Sequence, residues 1–330
     1  MMKKQLLLLT VSLCLLSCKK EVEKVATFDT KQTITVDTIS TKRKNLSDFH
    51  IFDLYSMENA GKYSTFISLS DIYNDSLAIP NDIIENQKSK TFAELKHFEL
   101  TGIYREKLLK GTSLSETDTL FLYNYKEAKL QKFPIRDLKS VANLNLYTSE
   151  GEEISHYDYM VGFELDEAET SEESVMDKTN YSLAYFGKEN PFSGKKVVPI
   201  HWKKTSRDQF PFPLKNDKSL ENTYSANFEN LTYYIQDYKG EYGISKRKLA
   251  VVKDNKVTFA KIFTAGEGAE FSPLNFINNN EYNDWQWTGK LFKNKPPVVF
   301  GFISESFGCP CITFLDSSYP DLYTDCDNRH

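Results

Sequence analysis

The chain has 330 residues, 40% of them hydrophobic, 14% aromatic and 26% charged, with a formal net charge of −5. This is ordinary globular composition, and it excludes a wholly disordered chain, a collagen-like repeat and a disulfide-dense mini-protein. An acidic balance gives the chain no electrostatic reason to seek nucleic acid, which demands a basic face.

Residues 1–17 form the first element. Lys3 and Lys4 precede an apolar run, Leu6–Leu16, interrupted by Thr10 and Ser12. A bilayer-spanning helix needs ~20 apolar residues, so this run has the length of a secretory signal core and not of a permanent span. Leu15-Leu16-Ser17-Cys18 then places a small residue just before a cysteine. On these residues the leader resembles that of bacterial lipoprotein precursors. The resemblance implies cleavage before Cys18, lipidation of its thiol by palmitate-type chains and acylation of the new amine. The lipid bilayer is then the first expected partner, since several acyl chains anchor a protein without a transmembrane helix. Cys14 follows bulky Leu13 and fits the motif less well. Lys20-Glu21-Val22-Glu23 is similar to the export tether of Bacteroidetes-type lipoproteins, although Val22 interrupts the acids. That similarity implies an outer-membrane address, periplasmic or surface-exposed.

Residues 18–47 read as the lipidated cysteine and a polar tether. The folded part is expected as two β-rich lobes, 48–200 and 201–330, because a chain this long exceeds the size at which one core usually keeps growing. Thr91 with Glu94 makes a capping box and predicts one short helix over 91–99. Leu120–Tyr125 is a continuous apolar run, as in a strand buried on both faces. Asn143–Tyr147 and Ile154–Leu165 read as two strands around a turn, the second alternating in a period of two. Residues 166–179 carry many acids and read as a loop, and 203–223 as a second polar break. Val197–Ile200, Leu231–Ile235 and Val298–Ile303 add strands. Leu249–Lys253 and Lys256–Phe263 flank Asp254-Asn255, the clearest hairpin signal. The expected class is mainly β, with antiparallel, sandwich-like sheets and at most a minor helical element.

Three groups of residues carry candidate chemistry. Cys309, Cys311 and Cys326 are the thiols left to the mature fold, and His330 follows the last of them closely. An oxidising compartment favours a disulfide from Cys326 to Cys309 or Cys311, with one thiol left over. The alternative is a tetrahedral zinc site of three thiolates and the His330 imidazole. Tyr282, Trp285 and Trp287 lie close together among Asn278, Asn279, Asn280, Glu281, Asn283 and Asp284. They form either core or an aromatic platform for a sugar ring, with Trp285 and Trp287 on one face if they share a strand. There is no Gly-x-Ser-x-Gly elbow, His-Glu-x-x-His, Walker loop or EF-hand loop, so no cofactor or catalytic residue is expected from motifs. The functional expectation is a membrane-anchored envelope lipoprotein, a non-enzymatic module binding a protein or glycan partner. The alternative is a hydrolase acting on an envelope or extracellular polymer.

Overall fold

The computed structural model describes residues 44–328 except 60, 76–77, 166–170, 213–217, 278–283 and 307. The leader, Cys18, most of the tether, Tyr282 and His330 therefore lie outside the described residues. Every strand pair is antiparallel, and the fold is mainly β.

Four principal sheets stack in layers that share cores. The first runs Tyr55–Asn59, Lys62–Ser68, Tyr159–Leu165, Lys139–Leu144, His97–Glu99. The second has Thr119–Asn124 between Lys129–Pro134 and Ser182–Gly187. The third runs Leu322–Tyr323, Cys311–Phe314, Val298–Phe300, Trp287–Gly289, Val197–Pro199. The fourth is a meander of Lys203–Thr205, Leu220–Phe228, Leu231–Gly240, Gly243–Lys253 and Lys256–Phe263. A two-stranded ribbon, Ala269–Phe271 with Ile303–Glu305, completes the set.

The period of two along each strand explains the layering. In Thr119–Asn124, Leu120 and Leu122 enter the core shared with the first sheet, while Phe121 and Tyr123 enter the core shared with the third. The continuous apolar run of this strand is thus the signature of burial on both faces. The third sheet repeats the pattern, sending Val298 and Trp287 toward the second sheet and Val299 toward the fourth. The boundary expected near residue 200 falls just after Val197–Pro199, whose sheet is otherwise built from later strands.

Several local readings can be followed into the structure. The hairpin at Asp254-Asn255 forms with both turn residues at positive φ, 49° and 61°, as a tight two-residue connection requires. The capping box is present in both directions, between the Thr91 side chain and the Glu94 N–H and between Glu94 and the Thr91 N–H. Its helix covers only Phe92–Lys96, and His97–Glu99 turns into an edge strand. Residues 166–179 are corrected in part: Glu172–Asn180 is a helix capped by the Ser171 hydroxyl, with Glu172 and Glu173 in the first turn. Acids that suggest a solvated loop here complement the positive end of the helix dipole. The break at 203–223 is also narrower than expected, since Lys203–Thr205 pairs with the strand starting at Leu220. Val298–Ile303 is two strands separated at Gly301, where φ is +80°.

Among the described residues no helix is long and apolar enough to cross a membrane.

Candidate functional site

The C-terminal cysteines resolve first. Cys309 and Cys326 form a disulfide with Cα atoms 5.4 Å apart, and Cys311 is the remaining thiol. Burial pushes the Cys311 thiol up to about 11, which keeps it protonated at neutral pH. Among the described residues no group of His, Cys, Asp or Glu is arranged to hold a metal ion.

The disulfide pins a tail that docks across the front of the molecule. The Asp325 N–H donates to the Ile51 carbonyl at 2.7 Å, and the Asp53 N–H to the Asp325 carbonyl at 3.0 Å. The Asp327 N–H donates to Asp71 at 2.8 Å, and the Ser68 hydroxyl to Asp327 at 2.5 Å. The staple thus ties the chain end to residues 50–71, not to later strands alone. Closing a loop of 17 residues stabilises by about 3 kcal/mol in the chain-entropy model. Cys309→Ser/Cys326→Ser is expected to lower unfolding free energy by about that amount in urea titration. An unchanged midpoint would mean that the tail holds without its staple.

Behind the tail lies a cavity of about 590 Å³, between the second sheet, the third sheet and the ribbon. One wall is aromatic. The Tyr125 ring meets Trp287 at 5.1 Å and Phe300 at 5.2 Å, both edge to face, and Tyr181 packs 5.8 Å from Trp287. Their polar atoms are fixed within the wall: the Tyr125 hydroxyl donates to the Asn180 carbonyl at 3.0 Å, and the Trp287 indole N–H to the Asp284 carbonyl at 2.9 Å.

Trp285 and Trp287 do not lie on one strand, although both line the cavity. Only Trp287 belongs to a strand, and it is 2% exposed, while Trp285 is 36% exposed and lines the cavity. A buried amide pair positions Trp285. The Trp285 N–H donates to the Asn275 side-chain carbonyl at 2.7 Å. The Asn275 amide donates to the Gln286 backbone carbonyl at 2.8 Å, and the Gln286 amide reaches the Pro273 and Gly301 carbonyls at 2.9 and 3.0 Å. Such a network is rigid because each buried group has its partner. Of the polar loop around Trp285, Asp284 is the described member, and it lines the cavity.

The charged lining residues are all acids: Asp53, Asp284 and Glu305. Burial pushes the Asp53 carboxyl up to about 7, and neighbouring Asp325 and Asp71 add to the effect against a hydrogen bond from Thr324. Burial likewise raises Asp71, and the hydrogen bond to Asp325 raises His50. The sign follows from linkage: each group binds its proton more readily folded than unfolded, so its stabilisation is present at low pH and lost on alkalinisation. For Asp53 the loss runs from the ordinary carboxyl value of 3.8 up through about 7. Melting temperature is expected to fall between about pH 5 and about pH 8. Asp53→Asn removes much of the slope, and an equal slope in this variant would contradict the assignment.

Sequence reasoning marked Trp285 and Trp287 but missed Tyr125 and Phe300, which read simply as strand aromatics, and Tyr181, which carried no signal. It also missed Asp53 and Glu305, which carry no motif. No family model, curated protein or solved structure matches the chain.

Proposed function

We propose that this chain is a lipid-anchored envelope protein whose folded part is a non-enzymatic ligand-binding β module. The observation that carries the reading is the cavity: a fixed aromatic wall, an exposed indole at Trp285, and a few converging polar groups. That combination of apolar faces with placed polar atoms is how concave small-molecule sites achieve orientation. A volume of about 590 Å³ accommodates a sugar-sized ligand, and Trp285 offers a face on which a ring can stack. The lipobox at Leu15–Cys18 supplies the anchor and supports display of the module on the envelope. Cys18→Ser is expected to release the protein from the membrane, and normal detergent partitioning of that variant would contradict the anchor.

The binding reading is tested by titrating the intact protein with oligosaccharides released from envelope or extracellular polymers, following tryptophan fluorescence. Trp285→Ala is expected to weaken binding about tenfold or more, the scale of one lost aromatic contact. Identical isotherms for the two proteins would contradict the site.

One observation favours the hydrolase reading. Asp53, raised to about 7, lines the same cavity as Glu305, and an acid held partly protonated together with a second carboxyl is what glycoside hydrolysis employs. Release of sugar by the wild type and its loss in Asp53→Asn would establish that reading.

A further inference from the structure

We infer that the face where the chain enters the fold at Lys44 is a basic docking surface for the anionic headgroups of the bilayer that carries the anchor. The inference rests on the lipid-anchored reading and adds to it the side of the module that meets the membrane.

The first observation is a basic concavity at the point of entry. Lys44, the first described residue, donates its N–H to the Ser318 carbonyl at 3.0 Å. Both residues line an open concavity of about 670 Å³ together with Lys290, Lys295, Asp316 and Tyr319. Asp316, the acid of that lining, accepts the Ser318 N–H at 2.8 Å and so is engaged by its own turn.

The second observation is that a neighbouring segment extends the charge. The Lys293 N–H donates to the Pro191 carbonyl at 2.8 Å, the Ser193 N–H to the Leu291 carbonyl at 2.9 Å, and the Lys293 ammonium to the Asn190 carbonyl at 2.9 Å. Val197 pairs with Gly289, so the backbone of exposed Lys195 and Lys196 runs beside that of Lys290. Residues 189–196, 290–296 and 316–319 together carry five lysines against two acids, Glu189 and Asp316, and Lys44 makes a sixth lysine. The chain as a whole is acidic, at −5, so this local surplus runs against its overall charge. None of the six lysines forms an ion pair among the described residues. Uncompensated ammonium groups on one face make a positive potential that attracts anions within a Debye length, about 10 Å at 0.1 M salt.

The third observation selects a bilayer over a soluble anion, and it is where the chain goes. Residues 19–43 lie between Cys18 and Lys44, so an acylated Cys18 holds Lys44 within about 90 Å of the bilayer even at full extension. Lys42 and Arg43 directly precede Lys44 and add two positive charges to the chain there. Tethering makes the second contact intramolecular, so a weak attraction suffices to populate it. Anionic headgroups attract basic segments near a bilayer surface by this means. Tyr319 suits the same place, since an apolar ring with a polar tip is favoured at headgroup level.

The test reconstitutes the intact protein into vesicles of phosphatidylcholine alone or mixed with phosphatidylglycerol. Lysines are acetylated with a water-soluble reagent, and the modified positions are read by mass spectrometry. Lys290 and Lys293 are expected to react severalfold more slowly on the anionic vesicles at low salt, and to lose that protection at about 0.5 M salt. Lys88 and Lys110, exposed on elements that pack on the core of the first sheet, should react equally on both. Lys44→Glu combined with Lys195→Glu and Lys196→Glu should erase the protection of Lys290 and Lys293.

Equal reactivity on the two vesicles, with the protein anchored in both, would overturn the docking face and leave the anchor standing. A protein that carries no acyl chain and binds neither vesicle would overturn both. One that carries no acyl chain, yet binds anionic vesicles with these lysines protected, would support the face and overturn the anchor. Protection of the same lysines by soluble polygalacturonate and not by anionic vesicles would assign the face to an acidic polymer and overturn the membrane as its occupant.

Discussion

Asp237→Ala is expected to lower the stability of the fold by about 3–5 kcal/mol, the cost of stranding a buried charge. Asp237 and Arg247 face each other across adjacent strands of the fourth sheet, with side chains 4% and 2% exposed. The Arg247 guanidinium donates from Nε to Asp237 Oδ1 at 2.7 Å and from Nη2 to Oδ2 at 3.1 Å. Its third arm donates to the Ser272 carbonyl at 2.9 Å, at the edge of the cavity. Removing the carboxylate leaves a buried guanidinium with no anion, and the segment that follows Ala269–Phe271 is held by an unpaired arginine. Urea unfolding of the intact protein reads the effect. Asp237→Leu combined with Arg247→Met should recover most of the loss, since a paired charge is replaced by apolar volume. A single-variant loss below about 1 kcal/mol would mean that water reaches the pair in the folded state.

Gly301→Ala is the second large effect, and it acts on the site directly. Gly301 has φ of +80° and sits where two short strands part. A Cβ added there would lie 1.8 Å from the Trp285 carbonyl oxygen and 2.7 Å from its carbon. Both atoms are backbone, so no side chain can swing away. The turn must open or the Trp285–Gln286 segment must shift, breaking the bond from the Gln286 amide to the Gly301 carbonyl. Overpacking of this kind costs about 1–3 kcal/mol, and the left-handed φ adds to it. The expected result is a lower melting temperature together with ligand binding weakened tenfold or more. Full stability with normal binding would show that Trp285 is not held by this contact.

The sequence is informative where one strand or one turn carries the whole signal. Leu120–Tyr125 is apolar or aromatic at every position but Asn124 because two cores claim its two faces. Asp254-Asn255 marks a hairpin because few residues tolerate two left-handed positions in succession. A disulfide at Cys326 followed from compartment and spacing, but the choice of Cys309 over Cys311 depended on tertiary geometry. The helix Glu172–Asn180 stayed hidden because it buries only Val175, too little to print an apolar stripe. The helix Ile103–Gly111 has the same difficulty, burying Leu108 and Leu109 alone. The cavity was illegible for a different reason. Asp53, Tyr125, Tyr181, Trp285, Phe300 and Glu305 come from separate segments, and only sheet stacking brings them to one space. Trp285 and Trp287 show the limit well. Their spacing suggests a shared face, yet Asn275 holds Trp285 outside the strand that Trp287 begins.

The most direct test of the account is a crystal structure of the protein with the tightest-binding compound from the titrations. The predicted result places the ligand behind the C-terminal tail, with its apolar face on Trp285. A ligand seated on any other face, with this cavity holding only water, would contradict the central claim.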